Sequence, residues 1–214
     1  MIKNKVKAVI FDMDGVLIEA KDWHYDALNR ALGLFGFTIS RHDHLVTFDG
    51  LPTAIKLEML SLEKGLPRKL HDFINELKQK YTMELVYQHC KPRFQHEYAL
   101  SALKSQGYAV ACGSNSIKAS INIMLEKSNL IQYMDIIVSA QDVESPKPSP
   151  EMYNKIIKSF NLQPEECLIL EDNENGIKAA KKSGAHVLIV KEVDEVTLEN
   201  ISRNINIINS EEEL

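Results

Sequence analysis

The stretch Val6-Lys7-Ala8-Val9-Ile10-Phe11-Asp12-Met13-Asp14-Gly15 decides how this chain reads. The apolar run predicts a buried strand, and two carboxylates two residues apart stand at its end. A strand end projects alternate side chains to one side, and Gly15 lets the chain turn sharply. Two negative charges side by side each make the other harder to ionise unless a cation neutralises them. The natural cation for an all-oxygen site is Mg²⁺. A carboxylate held beside it can attack phosphorus to give an aspartyl-phosphate. Taken alone, the same residues also fit a strand followed by an acidic turn, since Asp-Gly is a common turn dipeptide.

Further along, short apolar runs recur with helical spacing between them. Strands are predicted at Val6–Phe11, Ala109–Gly113, Ile136–Ser139, Cys167–Leu170 and Val187–Val190. Each is rich in Val or Ile, as strands buried on both faces are. Helices are predicted over Asn115–Asn129, over Pro150–Phe160, which opens with proline, and over Asn173–Gly184, which closes with glycine. This alternation argues for an α/β fold, a doubly wound, Rossmann-like parallel sheet. From about Ile18 to Gln88 it stops. Trp23, Ala27, Ala31 and Phe35 fall at fourfold spacing, and Thr53–Glu63 and Lys69–Tyr87 also read as helices. We therefore expect a core domain of 1–17 and 89–214 and an inserted helical cap of 18–88. A cap of this kind covers the carboxyl ends of the strands, where ligands bind in this architecture, and can exclude water and choose the substrate.

Composition narrows the classes. A net charge of -5 gives no basic surplus for nucleic acid or a membrane surface. No apolar run approaches the length of a membrane span. Met1–Lys5 runs straight into the first strand, leaving no room for a signal peptide. The three cysteines, Cys90, Cys112 and Cys167, form no CxxC pair, which fits a reducing cytoplasm. Cys112 and Cys167 lie in strand-like runs and read as small buried hydrophobes. Glu211-Glu212-Glu213-Leu214 reads as a short mobile acidic tail. With no clear surplus of exposed apolar residues, a monomer is expected.

Four segments fall at strand ends. After Asp12-Met13-Asp14-Gly15 comes Cys112-Gly113-Ser114-Asn115-Ser116, offering a hydroxyl and backbone N–H groups where a helix begins, a ready anion site. In Ser145-Pro146-Lys147-Pro148-Ser149-Pro150 the prolines stiffen a loop that points one lysine, which can neutralise charge shifting in a transition state. In Leu170-Glu171-Asp172-Asn173-Glu174-Asn175-Gly176 two more carboxylates can complete a Mg²⁺ shell, and Gly176 allows close packing of the following helix. Each segment alone has a plainer reading, as a helix cap, a solvated loop or a favourable helix start. Together they supply nucleophile, phosphate donors, cation and metal ligands.

The order FDMDG, GSNS, SPKPSPEMY and LEDNENGIKAAKKSGA resembles the haloacid dehalogenase superfamily. The closer resemblance is to the subgroup with a helical cap between the first two motifs, which includes β-phosphoglucomutase and small sugar-phosphate phosphatases. The resemblance implies that Asp12 is the nucleophile and a Mg²⁺ ligand. Asp14 is implied as general acid and base, with its backbone carbonyl on the metal. Ser114 and Lys147 match the phosphate-holding residues, with Asn115 and Gly15 beside them. Asp172 matches the acidic metal ligand and Glu171 a direct or water-mediated one. The dehalogenases that name the superfamily do not use this Asp-x-Asp pair, so its presence argues for phosphoryl transfer. Mg²⁺, Lys147, Ser114 and backbone N–H groups would neutralise the equatorial oxygens, as such transfer requires.

The implied cap residues are less distinctive. His24 lies where the mutase-like members place a histidine near the general acid, and it also reads as a partly exposed helix residue. Thr47-Phe48-Asp49-Gly50-Leu51-Pro52-Thr53 lies where the subgroup keeps its specificity loop. β-Phosphoglucomutase has a lysine before that glycine and an arginine three residues after it; this chain has Asp49 and Thr53. Losing both cations favours hydrolysis of a monophosphate over mutase chemistry. Lys56 or Lys80 could compensate, though long charged side chains on helices are usually solvated. Asp49 could accept hydrogen bonds from sugar hydroxyls, pair with an amine or, as we expect, cap the next turn. His42-x-His44 reads as a surface loop and Trp23 as core. The expected function is a Mg²⁺-dependent phosphatase of a small phosphorylated metabolite, a sugar or polyol phosphate. A phosphosugar mutase and a catalytically silent binding module are the alternatives, and a phosphonate-cleaving enzyme is disfavoured because no Schiff-base lysine stands out in the cap.

Overall fold

The computed structural model describes residues 6–210, so Met1–Lys5 and the acidic stretch Glu211–Leu214 lie outside it. The chain divides into two compact units: residues up to Glu19 with those from Lys91 onward, and Ala20–Cys90.

The first unit is the α/β fold expected. Strand β1 (Ala8–Phe11) is buried at every position and pairs in parallel on both sides. Such a strand has no solvent face, which is why its sequence is a continuous apolar run. After the helices of the other unit come α5 (Phe94–Ser105), β2 (Ala109–Ser114), α6 (Lys118–Lys127) and β3 (Ile136–Ser139). Then follow α7 (Glu151–Ser159), β4 (Cys167–Glu171), α8 (Glu174–Lys182), β5 (His186–Ile189) and α9 (Leu198–Ser210). The strands lie in the order β3-β2-β1-β4-β5, all parallel. Winding reverses at β1, with β2 on one side and β4 on the other, so a crevice opens where their carboxyl ends meet. One face of the sheet packs Ile10, Ala111 and Ile169 against Met152, Tyr153, Ile156 and Ala180 of α7 and α8.

The second unit is helical throughout its regular structure among the described residues: α1 (Lys21–Gly33), a short turn α2 (Arg41–Asp43) continuing into a π-helical turn at His44–Phe48, α3 (Thr53–Lys64) and α4 (His71–His89). Leu28, Ala31 and Leu32 of α1 share a core with Leu57, Leu60 and Ile74. Two expectations are corrected here. His44 is not on a surface loop: the π turn carries one residue more than an α turn, and the residue is only 2% exposed. It lies against the Tyr25 ring with centroids 5.0 Å apart. Lys56 is likewise buried rather than solvated, while Lys80 is exposed. Trp23 is half-buried and stacks on His89 at 6.3 Å.

All three cysteines are buried and unbridged. Among the described residues no helix is long and apolar enough to cross a membrane.

Candidate active site

The carboxyl ends of β1, β2 and β4 bring the motif residues together. Asp12 follows β1 directly, and its backbone N–H donates to the Leu170 carbonyl of β4 at 3.0 Å. The turn after it uses Gly15 at φ +93°, a conformation that costs glycine nothing. Its N–H closes the turn on the Ile18 carbonyl at 2.7 Å.

Lys147 reaches this point from the loop between β3 and α7. Its Nζ donates to Asp12 Oδ1 at 2.5 Å, to Glu171 Oε1 at 2.7 Å and to the Gly113 carbonyl at 2.8 Å. The three residues are 0–4% exposed. Burial disfavours the Lys147 ammonium, but the Asp12 and Glu171 carboxylates outweigh it and hold its pKa above the ordinary value. Burial pushes Asp12 the other way, well above the usual carboxylate range. Lys147 opposes that shift, and the charges of Glu171, Asp172 and Asp14 add to it. One lysine does not balance so many carboxylates.

That surplus bears on a metal. Asp12, Glu171 and Asp172 each present an oxygen, all within 4.8 Å of one another. An all-oxygen donor set of this kind could hold a hard divalent cation. The Asp14 carboxylate is not in this group; its Oδ2 accepts from Ser116 Oγ at 2.9 Å, with Ser114 Oγ at 3.5 Å.

The β2 turn differs from the sequence expectation in one respect. Helix α6 starts at Lys118, not at Asn115, so Ser114 closes β2 and Asn115 lies in the turn between strand and helix. Ser114 Oγ accepts from the Ser116 N–H at 3.0 Å. The Asn115 amide is turned to the Lys147 backbone, accepting from its N–H at 3.0 Å and donating to its carbonyl at 3.1 Å. It clamps the loop that presents the lysine.

At β4, Gly176 packs on Glu171 so closely that a Cβ there would stand 2.0 Å from Glu171 Oε1. The glycine is fixed by steric need. Asn173 caps α8, its Oδ1 accepting from the Gly176 N–H at 3.0 Å.

Tyr153 belongs to this cluster although the sequence reading left it without a role. Its hydroxyl donates to Glu171 Oε1, and Lys147 Nζ lies 4.8 Å from its ring centre. In the sequence it is one of the apolar positions of α7, beside Met152 and at helical spacing from Ile156 and Ile157. The available signal was that a fully buried tyrosine needs a partner for its hydroxyl.

The residues of the helical unit are placed as follows. His24 is half-buried on α1, and its Nδ1 is 3.1 Å from Lys78 Nζ of α4. Asp49 does not cap α3, whose N-cap is Pro52 with no side-chain bond. Asp49 lies instead 3.8 Å from Lys21 Nζ. Gly50 turns at φ +71°, and Thr53 is the first residue of α3. Lys78, buried and bonded to His24, went unread.

Comparison with known proteins agrees with this geometry. The family of haloacid dehalogenase-like hydrolases matches residues 9–190. The chain belongs to that family of hydrolases, and curated relatives that it matches are named as phosphatases. It is 29% identical over 184 residues to the phosphorylated carbohydrates phosphatase of Thermotoga maritima, covering 84% of this chain and 82% of that one. It is 30% identical over 179 residues to the phosphoglycolate phosphatase of Aquifex aeolicus, again covering 84% and 82%. Its fold is similar to that of a β-phosphoglucomutase from Clostridium difficile, with a TM-score of 0.82 at 22% identity, over 94% of this chain and 97% of that one.

Proposed function

We propose that the protein is a Mg²⁺-dependent phosphatase that hydrolyses a small phosphate monoester, of a sugar or polyol, through an aspartyl-phosphate on Asp12. The observation that carries this is the buried Asp12–Lys147 contact of 2.5 Å at the carboxyl end of β1, with Glu171 and Asp172 beside it. It is supported by relatives named as phosphatases of phosphorylated carbohydrates and of phosphoglycolate.

In this reading an Asp12 carboxylate oxygen attacks phosphorus and the ester oxygen leaves. Asp14, within reach of Ser116 and Ser114, protonates the leaving oxygen and then takes a proton from the water that hydrolyses the acyl-phosphate. Lys147 and Ser114 hold the equatorial oxygens, where charge shifts during transfer. Mg²⁺, bound by Asp12, Asp172, the Asp14 carbonyl and Glu171, would neutralise phosphoryl charge. His24, Asp49, Gly50 and Thr53 of the helical unit would contact the rest of the substrate. We further read the enzyme as a cytoplasmic monomer acting on a free metabolite, with neither nucleic acid nor membrane as partner.

The test is phosphate release from a panel of phosphosugars and other small phosphate esters, with and without Mg²⁺, beside Asp12→Asn. Metal-dependent release that falls by about 10⁴-fold or more in Asp12→Asn is expected. An isomerised phosphosugar with no free phosphate would make the enzyme a mutase. No turnover of any kind would leave a binding module.

A further inference from the structure

An ammonium group has three N–H bonds, and Lys147 spends all three inside the protein, on Asp12, Glu171 and the Gly113 carbonyl. To donate to a phosphoryl oxygen it must release one. Glu171 is 0% exposed, and a buried carboxylate stripped of a donor is strongly disfavoured. Of the three acceptor atoms, Glu171 Oε1 has a second side-chain donor already in place, the Tyr153 hydroxyl. Glu171 Oε2 is held by the Asp172 N–H at 3.2 Å. With Gly176 packed against it, the carboxylate is fixed where it is. The Tyr153 ring face, 4.8 Å from Nζ, attracts the ammonium whichever acceptor it faces.

Taking from the proposed function that Lys147 holds the phosphoryl group, we propose that Tyr153 is a positioning residue that lets Lys147 exchange its bond to Glu171 for one to the phosphoryl oxygen. No covalent bond changes. One N–H of Lys147 turns from Glu171 Oε1 to the substrate, and the Tyr153 hydroxyl keeps that oxygen satisfied. Tyr153 itself touches no reacting atom. The bonds to Asp12 and Gly113 persist and keep Nζ beside the nucleophile.

The experiment is a double-mutant cycle of Tyr153→Phe and Glu171→Gln, read in kcat, KM and the Kd for inorganic phosphate. Phenylalanine keeps the ring and removes only the hydroxyl. In the native background we expect kcat/KM to fall and phosphate to bind more weakly, each by about tenfold, because the same Lys147 bond is made to ester and to phosphate. In the Glu171→Gln background, where Lys147 no longer leaves a bare carboxylate, the same change should cost less than about twofold. Equal losses in both backgrounds, or none in either, would overturn the proposal; equal losses would mean a structural role independent of Glu171. Should Tyr153→Phe not fold, 3-fluorotyrosine at 153 fills nearly the same space with a stronger donor. It should then raise kcat/KM, and an unchanged kcat/KM counts against the proposal. The two readings fail separately. A native enzyme that turns over no ester yet binds phosphate in a Tyr153-dependent way retains this inference and loses the phosphatase. Turnover with no Tyr153–Glu171 coupling does the reverse. Neither turnover nor phosphate binding removes both.

Discussion

At the ends of β1 and β4 the buried charges of Asp12, Lys147 and Glu171 face one another, whereas the buried lysines of the helical unit keep company with imidazoles. Lys78 bonds His24, and Lys56 is the strongest single charge acting on His44. The strand ends converge because the sheet makes them converge, so opposite charges supplied by three separate segments meet at 2.5–2.7 Å. A helix offers no such convergence. On α4 the buried stripe Ile74, Lys78, Thr82 and Val86 runs at fourfold spacing, with a cation and a hydroxyl in its middle. The first arrangement compensates its own desolvation; the second makes the core of its unit carry polar groups. The two regions should therefore answer in opposite directions when a buried polar side chain is replaced by an apolar one.

The largest effect belongs to Lys147→Met. It leaves Asp12 and Glu171 buried without their common cation, and breaking a buried pair by removing one partner costs about 3–5 kcal/mol. Activity should fall by about 10²–10³-fold, as for loss of a donor to a developing charge. Urea unfolding beside a phosphate-release assay measures both. A Lys147→Met protein as stable as the native one would show that the cluster is not held by its charges.

These two regions also differ in how far they could be read in advance. The strands were legible because strands buried on both faces leave continuous apolar runs, and the boundaries came within two residues. The cluster was legible because each strand end carries its polar residues in one short segment. The strand order was not legible, since it depends on how the helices pack. No helix is predicted over α5 or α9, although Ile201, Ile205 and Ile208 line the buried side of α9. Two details of the turns were misread. Asn115 precedes α6 instead of opening it, and Asp49 pairs with Lys21 instead of capping α3. His44 was misplaced because an inserted π turn leaves no periodic signature that would turn it inward. Lys56 reads by residue type as solvated and Lys78 draws no reading at all, because burial is a property of the packed unit. Tyr153 was hidden for the opposite reason: its apolar spacing was so regular that nothing drew attention to its hydroxyl.

His44→Phe tests the other half of the comparison. Among the described residues neither ring nitrogen of His44 has a hydrogen-bond partner, so an apolar ring of similar shape against Tyr25 should stabilise the protein by about 1 kcal/mol at neutral pH. Burial, reinforced by Lys56, lowers the His44 pKa from 6.5 to about 4. The unfolded chain therefore takes up this proton well before the folded one does. Stability from this group is complete above about pH 6.5 and is lost as the pH falls towards 4, by up to about 2–3 kcal/mol. His96, lowered by its own burial, contributes a slope of the same sign. In His44→Phe the fall in urea midpoint between pH 7 and pH 5 should shrink without vanishing. A variant less stable than the native protein at both values would mean that the imidazole is bonded in solution.

The smallest effect should come from Asp49→Asn. Its contact with Lys21 is 3.8 Å long and both side chains are partly exposed, 23% and 31%. Water and salt screen such a pair, so its loss should cost no more than about 0.5 kcal/mol. That makes the variant a clean probe of the one acidic residue in Phe48-Asp49-Gly50-Leu51. Because the fold hardly depends on it, any change in turnover has to come from the substrate. If Asp49 accepts hydroxyl hydrogen bonds, KM should rise several-fold for polyol and sugar phosphates and stay level for esters without hydroxyls. If KM is unchanged across the panel, Asp49 takes no part in substrate selection, which in the helical unit falls to the buried lysines and histidines that set it apart from the strand ends.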